Sequence, residues 1–261
     1  MQICNEQLPE ICRYIEYAEQ ASDHSIDAYD APFNRYLRYI VQGLNRLDDH
    51  TNILEVGVGT GWFPIMCRMR GLRCRGIDIS PQLVDYARRW GRNLGAEPDV
   101  ELGNIESCVL GECVYDAVIA ADVFEHVENW KDGIGRVYGA LKPGGVLYFE
   151  STNKFGFGVG EYGFPLYGWL PDKLRYEMRV LFDDPRIMQL GIDFNQFRHS
   201  QLRHEFKKVG FSRVMDRIDM AQDDMISSNF RKAVVRWGRK SPYLKNVLLT
   251  FCDATRFLCI K

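Results

Sequence analysis

Apolar and polar positions change their rhythm near residue 50. Before that point no strand alternation is present, and Tyr36, Leu37, Ile40, Val41, Leu44 and Leu47 recur at helical spacing, so residues 5–48 read as helices. NILEVG at 52–57 is a short apolar run ending in glycine, and TGWFPIMCRMRG at 60–71 reads as a helix closed by Gly71. RCRGIDI at 73–79 predicts a strand. SPQLVDYARRWGRNLG at 80–95 predicts a helix, with Ser80 as N-cap and Pro81 at the first helical position. DVELGN at 99–104 and VYDAVIAAD at 114–122 read as further strands, a helix is expected around 130–141, and VLYFES at 146–151 is the fifth strand.

This alternation predicts an α/β fold, a doubly wound and mostly parallel sheet with helices on both faces. After Ser151 the rhythm breaks into FGFGVGEYGFPLYGWLP, read as an inserted flap running to about 195. A helix at 200–210, a strand at 211–218, helical residues over 222–252 and a last strand at 256–261 complete an expected seven-stranded sheet. The chain is expected to be one domain, with N-terminal helices at 1–49, a core at 50–152, the flap at 153–198 and closing helices and strands at 199–261.

Composition narrows the field. At 261 residues, 46% hydrophobic and 26% charged, the chain is built like an ordinary soluble globular protein. Lys and Arg number 33 against 35 Asp and Glu, so no global field gathers nucleic acid and none is expected as a partner. The eight cysteines contain no C-x-x-C pair, poor material for a zinc site. MQICNEQLPEICRYIEY lacks a basic segment followed by an apolar run, and no stretch reaches the roughly 18 apolar residues of a spanning helix. A cytoplasmic address is expected.

The strongest chemical signal is Glu55-x-Gly57-x-Gly59-x-Gly61 at the end of the first strand. Glycines there let the backbone turn sharply and bring its amides close to a ligand. The helix that follows offers unsatisfied N–H groups and positive dipole to an anionic group. A glycine triplet alone is also compatible with a tight turn that binds nothing. Asp78, at the end of the second strand, adds an acid able to accept hydrogen bonds from both ribose hydroxyls, or else to cap the next helix.

ILEVGVGTG, GIDIS, EHV and LKPGG together resemble the class I methyltransferases of the ubiquinone-type O-methyltransferase kind, over roughly residues 50–152. The resemblance implies S-adenosylmethionine as cofactor, its methionine part at Glu55, Gly57, Gly59 and Gly61 and its ribose at Asp78. A family position after the third strand commonly carries Asp beside the adenine amine; here it is Asn104, whose amide oxygen can still accept. Ile79 and Ile105 would sandwich the adenine or simply pack in the core. Ala121, at the end of the fourth strand, completes the cofactor set.

A nicotinamide-dependent oxidoreductase shares the sheet and the acid, but its G-x-G-x-x-G requires glycine at 62 or 64, where Trp62 and Pro64 stand. A non-catalytic binding protein of the same fold is a second alternative. No Asn-Pro-Pro-Tyr-like element follows the fourth strand, where Ala121, Asp122, Val123 and Phe124 lie, so the expected acceptor is a small molecule, methylated on a hydroxyl oxygen or, alternatively, on nitrogen or carbon. The flap, with Phe155, Phe157, Tyr162, Phe164, Tyr167 and Trp169 among glycines, is placed to cover it or to form a satellite cluster.

Asp122, Glu125 and His126 are the candidate catalytic residues. If a helix begins there, their spacing sets them on one face. His126 can then serve as a general base held by an acid, the three can hold Mg²⁺ or Zn²⁺, or they can be purely structural. Finally, NFRKAVVRWGRKSPYLK at 229–245 holds six basic residues and no acid, a basic amphipathic helix suited to an anionic bilayer, an acidic partner or its own domain.

Overall fold

A computed structural model gives the fold, and it describes residues 25–157, 166–175, 177 and 195–261. The expected helices before residue 25 and most of the flap lie outside the described residues. α1 (Asp30–Leu44) follows a short 3-10 turn at Ile26–Tyr29 and buries Phe33, Tyr36, Tyr39 and Ile40 along one stripe, as its apolar spacing requires. β1 (Asn52–Val56), α2 (Trp62–Met69), β2 (Arg73–Asp78), α3 (Pro81–Asn93) and β3 (Asp99–Leu102) then alternate. The Ser80 hydroxyl accepts from the Leu83 N–H at 3.2 Å, so α3 is capped as its sequence specifies.

β4 (Tyr115–Ala121), α4 (Trp130–Ala140), β5 (Leu141–Thr152), α5 (His199–Val209), β6 (Arg213–Asp216), α6 (Arg217–Met220), α7 (Asn229–Lys240), α8 (Pro242–Phe251) and β7 (Ala254–Ile260) complete the chain. The sheet has seven strands in the order β3-β2-β1-β4-β5-β7-β6, parallel except for β7, which runs antiparallel to both neighbours. β1 and β4 lie at its centre with the order reversing between them, the place where open α/β sheets form a ligand crevice.

Three expectations are corrected. β5 starts at Leu141 rather than 146, because LKPGG continues into the ladder at the start of β4, where the register shifts between Tyr115 and Ala117. The strand expected over 211–218 stops at Asp216, whose Oδ1 accepts from the Ile218 and Asp219 amides at 3.0 and 3.1 Å and starts α6. The helical stretch at 222–252 is broken in two by Ser241, which caps α8, and opens on a separate 3-10 turn at Asp223–Met225.

Two apolar layers sandwich the sheet. On one side Phe149 of β5 meets Phe124, Phe197 and Phe206 at ring separations of 5.3, 6.1 and 5.2 Å. On the other Tyr148 stacks on Tyr39 at 5.0 Å and locks α1 to the centre of the sheet. Successive strand residues point to opposite faces, so these two neighbours anchor opposite layers. Phe149→Ala is expected to cost about 3–5 kcal/mol, the range for a fully buried aromatic ring. Urea unfolding checks it, as a lower midpoint at unchanged slope.

Candidate functional site

The glycine turn after β1 is built as its residues dictate. Gly57, Gly59 and Gly61 all have positive φ. At Gly57 (φ +72°) a Cβ would come within 2.2 Å of the Val123 side chain, and at Gly61 (φ +79°) within 2.4 Å of Ala87, so both positions demand glycine on two counts. The Gly57 and Val58 amides donate to the Ile77 carbonyl, which pulls the turn over the end of β2.

Asp78 fastens that turn. Its Oδ2 accepts from the Gly59 N–H at 3.0 Å and its Oδ1 from the Ser80 N–H at 2.9 Å. It is almost wholly buried, and burial pushes its pKa up to about 6 despite these amides, which favour the ionised form. A carboxylate has about four lone-pair sites, so it can still accept from a further donor. Glu55, one strand away, is also buried; desolvation and the Asp78 charge raise its pKa well above the usual carboxylate range, and its Oε2 has no hydrogen-bond partner among the described residues. A buried polar atom left open beside a glycine turn fits a site that receives a polar ligand.

The remaining cofactor candidates sit at the same edge. Ala121 and Ile79 are half-buried, Ile105 is buried, and the Asn104 Oδ1 accepts from the Glu106 amide at 2.9 Å, leaving one acceptor position.

The Asp122-Glu125-His126 expectation is corrected in its geometry. No α-helix begins there. Asp122 takes a left-handed conformation (φ +54°) with its amide held by the Glu150 carbonyl, and Phe124–His126 form one 3-10 turn. Glu125 consequently points inward, fully buried, and its Oε2 accepts from the Ser151 hydroxyl at 2.7 Å; Asp122 is exposed and His126 half-buried. Among the described residues no three His, Cys, Asp or Glu side chains converge as a metal site. Asn195 secures the turn: its amide donates to the Glu125 carbonyl, and its side chain donates to the carbonyls of Phe124 and Val127.

Several residues at this edge escaped sequence reasoning. Trp62, at the start of α2, stacks on Tyr29 and packs against Tyr36, which in turn packs against Tyr148 at 5.2 Å. The Tyr148 hydroxyl donates to Glu150 Oε2, and Glu150 Oε1 accepts from Arg256 Nε at 2.6 Å. Burial, then the Glu150 and Glu55 charges, raise the Tyr36 pKa well above its ordinary value, so this hydroxyl stays protonated. The only sequence trace of this cluster is the aromatic stripe of α1.

Residues 54–149 match the family described as Methyltransferase domain. The chain is 31% identical over 147 residues to a ubiquinone biosynthesis O-methyltransferase of Methylocella silvestris, covering 54% of this chain and 53% of that protein. With its counterpart from Rickettsia felis the identity is 28% over 147 residues, covering 52% and 57%. The chain thus spans a little over half the length of these relatives. Among solved structures, a SAM dependent methyltransferase from Archaeoglobus fulgidus superposes with a TM-score of 0.55 at 15% identity, covering 94% of this chain and 99% of that one. A Haemonchus contortus phosphoethanolamine N-methyltransferase 2 in complex with S-adenosyl-L-methionine gives 0.57 at 18% identity, covering 95% and 60%.

The raised Asp78 pKa has a consequence for stability. The folded state binds this proton more readily than the unfolded chain does, so the associated stability is present below the ordinary value of 3.8 and is lost as pH rises through about 6, a total of about 3 kcal/mol. Burial lowers the pKa of His199 to about 4, and that group acts in the opposite sense. The comparison with Asp78→Asn isolates the Asp78 contribution. Wild type minus variant stability, from urea unfolding of the ligand-free chain, is expected to fall between pH 4 and 7. A rise would contradict the burial argument.

Residues 54–149 thus match the family described as Methyltransferase domain, and the strand order and the superposed structures show that the chain shares the fold of S-adenosylmethionine-dependent methyltransferases.

Proposed function

We propose that the chain transfers a methyl group from S-adenosylmethionine to a hydroxyl oxygen of a small acceptor in the cytoplasm. The observation that carries this reading is the buried Asp78 carboxylate fastened to the Gly59 amide, with the open Glu55 Oε2 beside it. The donor set fits the cofactor. Asp78 offers its carboxylate oxygens to the ribose hydroxyls, Asn104 has an acceptor position for the adenine amine, and Ile79 and Ile105 offer apolar surface for the ring. Gly57, Gly59 and Gly61 keep the approach to the turn free of side chains, and Glu55 accepts from the cationic amine of the methionine part. When bound, the cofactor supplies an activated methyl group on sulfur.

The acceptor would lie at the same edge, above Ala121 and beside the 3-10 turn. His126, the half-buried imidazole of that turn, takes the acceptor's proton as the new O–C bond forms. Glu125, buried and bonded to Ser151, positions the turn rather than meeting the acceptor. Asp122 contributes charge at the exposed mouth. A methylated oxygen is what the names of the ubiquinone biosynthesis relatives describe. With a net charge of -2 the molecule suits a small acceptor better than a nucleic-acid strand.

Two measurements test these assignments. Asp78→Ala should weaken S-adenosylmethionine by about 1.5–3 kcal/mol in isothermal titration, the range for hydrogen bonds to a charged group, with the fold retained. Unchanged affinity would remove Asp78 from the site. His126→Ala should lose about 10²-fold or more in turnover at unchanged cofactor affinity, with EDTA without effect on wild type. Inhibition by EDTA that added Mg²⁺ or Zn²⁺ reverses would assign the acid–imidazole set to a metal instead. Cofactor uptake with no S-adenosylhomocysteine formed from any acceptor would favour a binding protein.

A further inference from the structure

The basic residues of 229–245 are sorted by the structure into two groups. Arg239 turns back to the end of α6 and donates to the carbonyls of Ile218, at 3.1 Å, and Ala221. Lys245 reaches inward to Asp216 and Asp219, at 2.7 and 2.6 Å. These two cations are consumed in holding the α7–α8 hairpin to the domain. Arg231, Lys232, Arg236 and Lys240 make no ion pair among the described residues.

The inward side of α7 is marked by Gly238, on which a Cβ would meet Ile218 at 3.0 Å. At 100° per residue, the arc opposite Gly238 and Arg239 carries Phe230, Ala233, Arg236, Trp237 and Lys240. Phe230 is 73% exposed, Trp237 59%, and Tyr243, at the start of α8, 80%. A solvated helix face needs its cations but gains nothing from three large rings in water, while a satellite core would bury the rings. Rings together with Arg236 and Lys240 on one arc match a layer whose surface is anionic and whose next few ångströms are apolar.

The hairpin is also tied to the edge of the sheet that carries the site. The Asn153 side chain, just after β5, donates to the carbonyls of Leu249, Thr250 and Cys252. Phe251 at the end of α8 stacks on Phe157 and Trp169 at 5.5 and 6.0 Å.

We propose that the outward arc of α7, with Tyr243, docks on an anionic lipid bilayer, the rings entering the headgroup boundary and Arg236 and Lys240 meeting lipid phosphates. The molecule as a whole is nearly neutral, so the local charge sets the partner.

Co-sedimentation of the full chain with phosphatidylcholine vesicles, with and without phosphatidylglycerol, tests this without any methyl acceptor or cofactor, and so stands apart from the methyl-transfer reading. The expected result is at least about tenfold tighter partition onto the anionic vesicles, weakened by salt. Arg236→Glu combined with Lys240→Glu should abolish that preference. Phe230→Ala combined with Trp237→Ala should weaken anionic binding about tenfold. Trp237 emission should shift to the blue on vesicle addition, a change absent from Trp237→Phe. All these side chains are exposed, so circular dichroism should be unchanged in each variant. Equal partition onto both vesicle types, no partition onto either, or wild-type binding by the charge-reversed variant would overturn the proposal. Binding to polyglutamate but not to vesicles would overturn it in favour of an acidic protein partner.

Discussion

The buried carboxylate of Asp78 is the constraint on which the site depends. A short glycine-rich turn has little to hold it, since glycine has the largest conformational entropy to lose. Here the loss is offset by charge-assisted hydrogen bonds from Gly59 on one side and Ser80 on the other, in a setting dry enough to strengthen them. One side chain thereby joins the first and second strand–helix units at their carboxyl ends. The cost is a carboxylate kept from water, visible in its raised pKa. A ligand with two hydroxyl donors would relieve that cost, which gives a physical reason for a binding site where the protein alone is least comfortable.

The central strands extend the same logic. Glu55 on β1, Asp122 after β4 and Glu150 on β5 reach one edge, and the protein treats each differently. Glu55 is buried with one oxygen unmet, Asp122 faces solvent from a left-handed backbone, and Glu150 is neutralised by Arg256 and Tyr148. Tyr36 brings a protonated hydroxyl among them from α1, so the N-terminal helix is part of the wall of this edge as well as of the core. Acidic side chains with such different environments can serve different tasks within one site.

How much of this was legible in the sequence follows from the range of the interactions involved. The turn, Asp78 and the Ser80-Pro81 cap are local, and each residue type announces its backbone need, so they were readable in advance. The alternation that gives the parallel sheet is also local, summed over many elements. The hidden features are long-range. Nothing near Tyr36 signals Trp62 or Tyr148, which it meets only after α1 packs across the sheet. Nothing in FSRVMDRI shows that Asp216 will leave the strand to cap α6 and hold Lys245. The spacing of Asp122, Glu125 and His126 suggested one helical face, because a left-handed residue at a non-glycine position is rare enough that no spacing rule allows for it. That backbone kink turns Glu125 inward to Ser151, a partner supplied by a different strand.

The proposed site requires the cofactor's ribose to lie at the end of β2 over Asp78, and a crystal structure of the chain with S-adenosylhomocysteine tests this most directly. The predicted result is density along the glycine turn, with both ribose hydroxyls within about 3 Å of the Asp78 oxygens and an amine donor facing Glu55 Oε2. A ligand bound elsewhere, or one whose ribose faces away from Asp78 with Glu55 still unmet, would contradict it.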